Sequence, residues 1–322
     1  MVLIYSNNTD WSTNDVMLWM HYLGGNTQRI HINDTILNDR FNIQLSFSGR
    51  NQVYISGKSI KNLKSIWFRR TDEINYTKLK NEIYYNYVKD LISNELKYTR
   101  QAFYKLNKKS RWLTHPDIVQ TDKIEALLNF KECGLEIPET IITNNKTDLL
   151  RFIKKYKRII IKPIFNMEEI AIENKRFLQY TTEITYEIIE KLPDVFFPAL
   201  FQKLIVKELE IRSFVLMDKV YSMAIFSQNN SSTTLDFRNK TTQNNVRTVP
   251  YKLPTEIEGK MCKYMKIMKM NNGSIDIIKT RNNKYIFLEI NSVGQFGMVS
   301  FPCNYFLERE IAKTLLNEEE NI

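Results

Sequence analysis

Cysteine is close to absent from this chain: Cys133, Cys262 and Cys303 are the only three in 322 residues, far apart and odd in number. Neither a disulfide framework nor a thiolate metal site can be built from them, and they read as core thiols. Histidine is equally scarce, and His21, His31 and His115 lack ligand spacing, so an imidazole metal centre is not indicated. No run of roughly 18 apolar residues is present. The amino terminus turns polar at Ser6, too soon for a signal peptide, which points to a cytoplasmic location. Glycine and proline number nine and eight, and no low-complexity segment or internal repeat breaks the chain. The formal charge is +10, but the lysines are dispersed among asparagines, with no Arg-rich helix and no basic tract interleaved with aromatics. Nucleic acid is therefore not indicated. The basic surface reads as solubilising, and it would equally attract nucleotide phosphates or an acidic peptide.

What is present is core-forming material. With 43% hydrophobic and 12% aromatic residues, the length suggests two or three lobes. Strand signals at Val2–Tyr5, 52–56 and 65–69, with a helix capped by Ser12 and closed at Gly24-Gly25, describe a small α/β lobe. A long amphipathic helix is expected over 79–106, with Ile83, Tyr87, Leu91 and Phe103 on or near one face. Pro116 marks the next boundary. Beyond it come a helix capped by Thr121, a strand over 139–143, a helix over 146–155 and a strand over 158–162. Antiparallel strands are then expected at 199–204, 208–216 and 219–226, the last two joined by Met217-Asp218. Helices over 256–270 and 304–315 frame two further strands; 228–234 and 238–245 read as polar loops.

Those two strands carry the chemistry. Asp276 lies in a short apolar strand, Arg281 to Lys284 form a polar break, and the next strand places Glu289 and Asn291 two apart, on one face. Magnesium prefers hard oxygen donors and leaves part of its shell to substrate phosphates, which this set of two carboxylates and an amide suits. Lys162 ends an apolar strand where its charge can meet a polyphosphate, and Lys123 is a second cation in the first turn of its helix. A purine could lie on Leu204 and Ile205 while backbone groups of Lys203 and Ile205 read its edge, with Gln202 just before them. Glu210 and Arg212 share a strand face. Glu208 competes with Glu210 for a ribose, and spacing does not separate them.

The order Lys123, Lys162-Pro163, Gln202 to Ile205, Glu210-Ile211-Arg212, Asp276, Glu289-Ile290-Asn291 resembles the ATP-grasp superfamily. The resemblance spans about residues 110 to 322 and implies an α/β and α+β protein in which two lobes clasp ATP, preceded by an N-terminal pre-ATP-grasp α/β lobe. The implied division is residues 1–115, 116–205 and 206–322. A narrower resemblance rests on Asp10 to Asn14, Trp67 to Arg70, Leu235 to Arg238, Pro250 to Pro254, Gly273 to Asp276 and Glu289 to Phe296. These are similar to the graspetide (microviridin-type) peptide ligases, most of all the grasp-with-spasm maturases. That likeness implies an enzyme that activates Asp or Glu side chains of a ribosomal precursor peptide, leader plus core, as acyl phosphates, closing ω-ester or ω-amide rings. It implies ATP and two magnesium ions held by Asp276, Glu289 and Asn291, with Lys123, Lys162 and Arg212 on phosphates and Arg238 on the peptide carboxylate. Asp236 would orient that arginine or help deprotonate the nucleophile. Either Arg69 or Arg70 would touch phosphate or peptide carboxylate, or one would pair with an acid. Two departures stand out. The loop after Lys162-Pro163, Ile164 to Glu169, lacks glycine, so the phosphate cover must differ, and Ser292 replaces a common proline. A ligase acting on a small molecule, or adding amino acids to a carboxylate acceptor, shares the core motifs. No membrane partner is implied, and a homo-oligomer stays open.

Overall fold

The computed structural model describes residues 1–61, 63–70, 74, 83–119, 122–165, 169–172, 175–178, 181–227 and 246–317. In chain order the elements begin with β1 (Val2–Tyr5), α1 (Trp11–Tyr22), β2 (Thr27–Ile30), α2 (Ile32–Asn38), β3 (Phe41–Gln44), β4 (Gln52–Ile55), β5 (Lys58–Ser59), β6 (Ser65–Phe68), α3 (Tyr85–Leu106) and β7 (Arg111–Trp112). There follow α4 (Lys123–Glu132), β8 (Thr140–Asn145), α5 (Lys146–Tyr156), β9 (Ile159–Lys162), β10 (Glu169–Ile172), β11 (Lys175–Leu178), β12 (Thr182–Ile184), α6 (Tyr186–Glu190), β13 (Val195–Lys203), β14 (Leu209–Leu216) and β15 (Lys219–Phe226). The chain ends with β16 (Arg247–Tyr251), α7 (Thr255–Ile267), β17 (Asn272–Lys279), β18 (Tyr285–Asn291), α8 (Gly297–Cys303) and α9 (Leu307–Leu316). They form two compact units: residues 1–120 with 270–272 and 305–322, and residues 121–269 with 273–304.

The first unit is built on a parallel sheet of order β2-β1-β6-β7. Leu3, Tyr5, Ile66 and Phe68, alternate residues of β1 and β6, bury against Phe103 and Tyr104 of α3 and against Trp112, as the period of two requires. Tyr5 stacks on Trp112 with ring centroids 6.2 Å apart. Helix α1 packs on α9. Gly25 makes this approach possible, since a Cβ there would lie 2.5 Å from a Leu316 methyl. The small antiparallel sheet β3-β4-β5 completes the unit.

The second unit holds two antiparallel arrays. In the first, of order β12-β9-β13-β8, Ile159 and Phe201 bury against Leu149 and Ile153 of α5 and Ile189 of α6. The second has order β16-β15-β14-β17-β18. Helix α4 rests on β18 and α7: Phe130 stacks 4.1 Å from the Tyr264 ring and lies 5.4 Å from that of Phe287. Gly134, with φ +73, lets the chain turn out of α4 while the Leu135 N–H returns to Phe130 O at 3.0 Å.

Several boundaries differ from those expected. The first helix is capped at Asp10 rather than Ser12, and Asp122 caps α4, accepting from the N–H groups of Ile124 (2.7 Å) and Glu125 (3.1 Å). Thr121 lies outside the described residues. Within the described residues α3 begins at Tyr85, and Ile83, Tyr87 and Leu91 are exposed, so the residues expected on or near one face are split, with only Phe103 of them buried. The helix expected over 304–315 is α9, which starts only at Leu307 because Asn304 and Phe306 are left-handed, and α8 before it was not foreseen. Strands β2, β3 and β5 and helix α2 were not foreseen. Cys133 and Cys303 are buried and Cys262 is half-buried, all three as free thiols.

Phe130→Ala should destabilise the protein by about 3–5 kcal/mol, because three rings lose their common contact. Chemical denaturation against the wild type checks this; a change below about 1 kcal/mol would show that the ring cluster does not hold α4 in place.

Candidate active site

The acidic hairpin forms with the expected pairing. Asp276 lies directly opposite Glu289 and Ser274 opposite Asn291, so all four side chains project from one face of the β17–β18 pair. The register shifts immediately beyond, where Ile277 pairs with Phe287 and Leu288 is the extra residue. A bulge adds twist and re-aims neighbouring side chains, and here it sits beside both carboxylates. Asn291 is held in a turn: its Oδ1 accepts from the N–H groups of Val293 (3.1 Å) and Gly294 (3.3 Å). Gly273 keeps space beside it, since a Cβ would stand 3.0 Å from Ile290 Cδ1 and 3.4 Å from Asn291 O.

Arg212 projects from β14, the neighbour of β17. Its Nη1 donates to both Asp276 oxygens at 2.7 and 2.9 Å, and its Nη2 to Gln295 Oε1 at 3.2 Å. The pair is largely withdrawn from water, with side-chain exposures of 4% and 17%. Like charges directly opposite one another in a sheet repel, and Arg212 compensates on the Asp276 side. At the start of β14, Lys207 Nζ donates to Glu210 Oε1 at 2.6 Å, and the Ser227 hydroxyl reaches the same oxygen at 2.7 Å. Glu208 accepts from Lys279 Nζ at 2.6 Å and is the more exposed of the two acids. Lys207 is buried and was missed in the sequence, because a lysine in a short connector between strands has no signature of burial; its i,i+3 spacing to Glu210 was the signal available.

The second group of candidates lies on the four-stranded array. Gln202 pairs with Ile160 and Leu200 with Lys162, so these four share a face. Gln202 is buried and donates to Thr140 Oγ1 at 3.0 Å. The Lys203 N–H is taken by Glu139 O at 2.9 Å, which leaves its carbonyl as the group that could read a ligand edge. Leu204 and Ile205 are half-buried in the connector that carries the chain from β13 into β14. Lys123 Nζ donates to the carbonyls of Pro163 (2.9 Å) and Phe165 (2.6 Å), which brings it to the segment that follows Lys162. A pocket of about 370 Å3 opens between β8 and α5, lined by Glu139, Thr140, Ile141 and Tyr156 among others; none of the candidate residues lines it.

Asp236 and Arg238 lie outside the described residues. Arg69 and Arg70 lie in the first unit and differ sharply. Arg70 is exposed. Arg69 is buried, its Nε 3.3 Å from Asp10 Oδ2 and its guanidinium 5.3 Å from the Trp67 ring centroid. Asp10 also accepts from Ser6 (3.0 Å) and Thr13 (2.8 Å). Burial pushes the Asp10 carboxyl up, but the Arg69 charge and these hydrogen bonds outweigh it and hold the group below its ordinary value. Burial in turn lowers the Arg69 guanidinium, against the pull of Asp10.

Two antiparallel arrays joined by a short connector, with an oxygen-bearing hairpin at the end of the second, make the ATP-grasp fold. The family model for the RimK-like ATP-grasp domain matches residues 120–315, and the chain belongs to that family. Among solved structures, the chain is similar to a Chryseobacterium gregarium RiPP-associated ATP-grasp ligase in complex with ADP and a leader and core peptide. Identity is 22% and the TM-score 0.86, covering 99% of this chain and 97% of that one. It is also similar to the macrocyclase MdnC from Microcystis aeruginosa, bound with its precursor peptide MdnA, at 24% identity and a TM-score of 0.80, covering 98% and 99%. A third likeness is to the ATP-grasp ligase PsnB complexed with a phosphomimetic variant of its minimal precursor, Mg and ADP, at 15% identity and a TM-score of 0.76, covering 98% and 97%. The curated proteins include no match. Among the described residues no helix is long and apolar enough to cross a membrane.

Asp10→Asn should lower stability at pH 7 by about 3–5 kcal/mol, the range for removing one partner of a buried pair. Because the folded carboxyl lies below its unfolded value of about 3.9, its contribution is complete above that value and is lost as pH falls through the folded one. Denaturation curves of the two proteins should therefore converge in acid. A constant gap between pH 7 and pH 3 would show that the carboxylate charge is not what holds Arg69.

Proposed function

We propose that this protein is an ATP-dependent ligase that activates Asp or Glu side chains of a ribosomal precursor peptide as acyl phosphates and closes macrocyclic ω-ester or ω-amide crosslinks. The observation that carries this reading is the end-to-end likeness, first unit included, to peptide-bound ATP-grasp ligases and macrocyclases. A small-molecule ligase of the same fold, a D-alanyl-alanine synthetase, is also matched over 98% of this chain, but at a TM-score of 0.54 against 0.86. The partner is a precursor peptide with leader and core, and the reaction takes place in the cytoplasm.

The residues fit a divalent cation. Asp276, Glu289 and Asn291 present hard oxygen donors on one face, two of them carboxylates set directly opposite. The buried Ser274 hydroxyl on that face has no hydrogen-bond partner among the described residues; a hydrated ion would satisfy it. Magnesium held there would supply positive charge to neutralise the substrate phosphates. Asn291 would share its oxygen with the turn that holds it. Arg212, fixed by Asp276 and Gln295, offers positive charge where the γ-phosphate and the acyl phosphate carry negative charge. Lys162 and Lys123 serve the phosphates from the other array, Lys123 also ordering the segment around Pro163 and Phe165. Leu204, Ile205, Gln202 and the Lys203 carbonyl receive the purine. With Glu208 paired to Lys279, Glu210 is the acid assigned to the ribose, Lys207 and Ser227 holding one of its oxygens. Arg70 is the arginine of the first unit assigned to substrate; Arg238 is assigned to the peptide carboxylate and Asp236 to orienting it. Residues 1–115 form the N-terminal lobe, and 116–205 and 206–322 the two lobes around ATP.

The chemistry balances. A peptide carboxylate oxygen attacks the γ-phosphorus and ADP leaves; a hydroxyl or amine of the same peptide then attacks the acyl carbon, loses its proton and expels phosphate. Each linkage removes the elements of one water, about 18 Da. Co-expression with a precursor encoded beside the gene should yield a peptide lighter by multiples of that mass. Glu289→Gln should return unmodified peptide from a protein that remains folded. An unchanged peptide mass with the wild-type protein, together with phosphate release on a small carboxylate, would instead favour the small-molecule ligase.

A further inference from the structure

Arg212 has two partners, and the second has no assigned task. Its Nη1 is taken by Asp276, while its Nη2 donates to Gln295 Oε1 at 3.2 Å. A guanidinium carries donors only, so the oxygen of the Gln295 amide must face it and the Nε2 group must point away from it. Gln295 is exposed, and among the described residues its Nε2 has no hydrogen-bond partner. The side chain therefore presents an oriented amide donor to solvent, beside the fork on Asp276.

Gln295 is fixed from both sides along the chain. Before it, the turn after β18 is held by Asn291 Oδ1, which accepts from the N–H groups of Val293 and Gly294, and Gly294 takes φ +67, a conformation that favours glycine. After it, Phe296 is buried with its ring centroid 5.7 Å from that of Phe214. Phe214 and Arg212 stand two apart on β14, hence on one face. Packing of Phe296 on Phe214 is what brings the preceding residue to the guanidinium. The same turn carries Asn291, so the amide of Gln295 is built onto the end of the hairpin that presents the oxygen donors.

A neutral donor fixed in advance has a specific chemical use. Phosphates are anionic before, during and after transfer, and cations match them throughout. The carbonyl of an acyl phosphate is uncharged until the nucleophile arrives, and its oxygen becomes an anion only in the tetrahedral intermediate. An amide N–H already in place binds that anion more strongly than the carbonyl that precedes it and needs no reorganisation at the moment of reaction, which lowers the barrier.

We propose, on the strength of the ligase reading above, that Gln295 is a catalytic residue of ring closure, the donor to the tetrahedral oxyanion. The peptide hydroxyl or amine bonds to the acyl carbon, the carbonyl π pair moves onto oxygen, and Gln295 Nε2 donates a hydrogen bond to that oxygen without giving up its proton. The pair then returns, the bond from carbon to the phosphate oxygen breaks, phosphate leaves, and the nucleophile releases its proton to water. Arg212 keeps the amide turned the right way, a positioning task in addition to its charge.

Gln295→Glu separates this role from a structural one, because a carboxylate still accepts from Arg212 but donates nothing. Incubated with the precursor peptide encoded beside the gene, ATP and magnesium, this variant should close rings about 100-fold more slowly or worse, read as loss of the peptide lighter by about 18 Da. Acyl phosphate should continue to form, captured by added hydroxylamine as the peptide hydroxamate, and the Kd for ADP from isothermal titration should be unchanged. Gln295→Met, of similar length and without a donor, should lose ring closure as well. Closure at the wild-type rate in Gln295→Glu would overturn the assignment. So would equal loss of hydroxamate and of ring, which would place Gln295 in phosphoryl transfer through Arg212. A wild-type protein that yields neither hydroxamate nor lighter peptide would overturn the ligase reading itself, and the assignment with it.

Discussion

The contact on which the site depends is the fork between Arg212 and Asp276, with 2.7 and 2.9 Å bonds to both carboxylate oxygens. It joins β14 to β17, and it allows two acids, Asp276 and Glu289, to stand opposite each other within a sheet where they would otherwise repel. The planar guanidinium, with several fixed donors, holds the carboxylate through Nη1 and Gln295 through Nη2 at once. The same arginine is thereby held beside the oxygen-donor face, an arrangement that the proposed stabilisation of phosphate charge would use.

A buried arginine and aspartate meet in the first unit as well, but to a different end. Arg69 and Asp10 are enclosed with Ser6, Thr13 and Trp67, and the pair fixes the turn between β1 and α1 against the end of β6. Adjacent in sequence, Arg69 and Arg70 thus divide into an inward structural charge and an outward one. Connections after parallel strands commonly form ligand crevices, which makes the placement of Arg70 there chemically useful.

Much of this was legible in the sequence because it followed periodicity. Glu289 and Asn291 two apart, Asp276 in an apolar strand and the polar break at Arg281 to Lys284 sufficed to place three oxygen donors on one face. The pairing of β14 with β15 around Met217-Asp218 was equally direct, Met217 taking the left-handed conformation the turn requires. What was not legible depended on tertiary partners. Asp10 rather than Ser12 occupies the N-cap position of α1, yet makes no side-chain capping bond, because its carboxylate is claimed by Arg69, fifty-nine positions away, and by the Ser6 and Thr13 hydroxyls. Lys207 is buried because Glu210 and the sheet around it enclose it. The residues of α3 expected on or near one face divide between solvent and core, since periodicity marks a face without saying what covers it. Short strands such as β5 carry too few residues for any period to show.

Family membership and the end-to-end fold likeness fix the architecture, while the donor face of β17 and β18 makes the chemical claim. A crystal structure of the protein with ADP and magnesium is the most direct measurement of that claim. The account predicts magnesium about 2.1 Å from oxygens of Asp276 and Glu289, bridging to the diphosphate, with Arg212 still forked on Asp276. Nucleotide bound with its phosphates and metal remote from those carboxylates would contradict it.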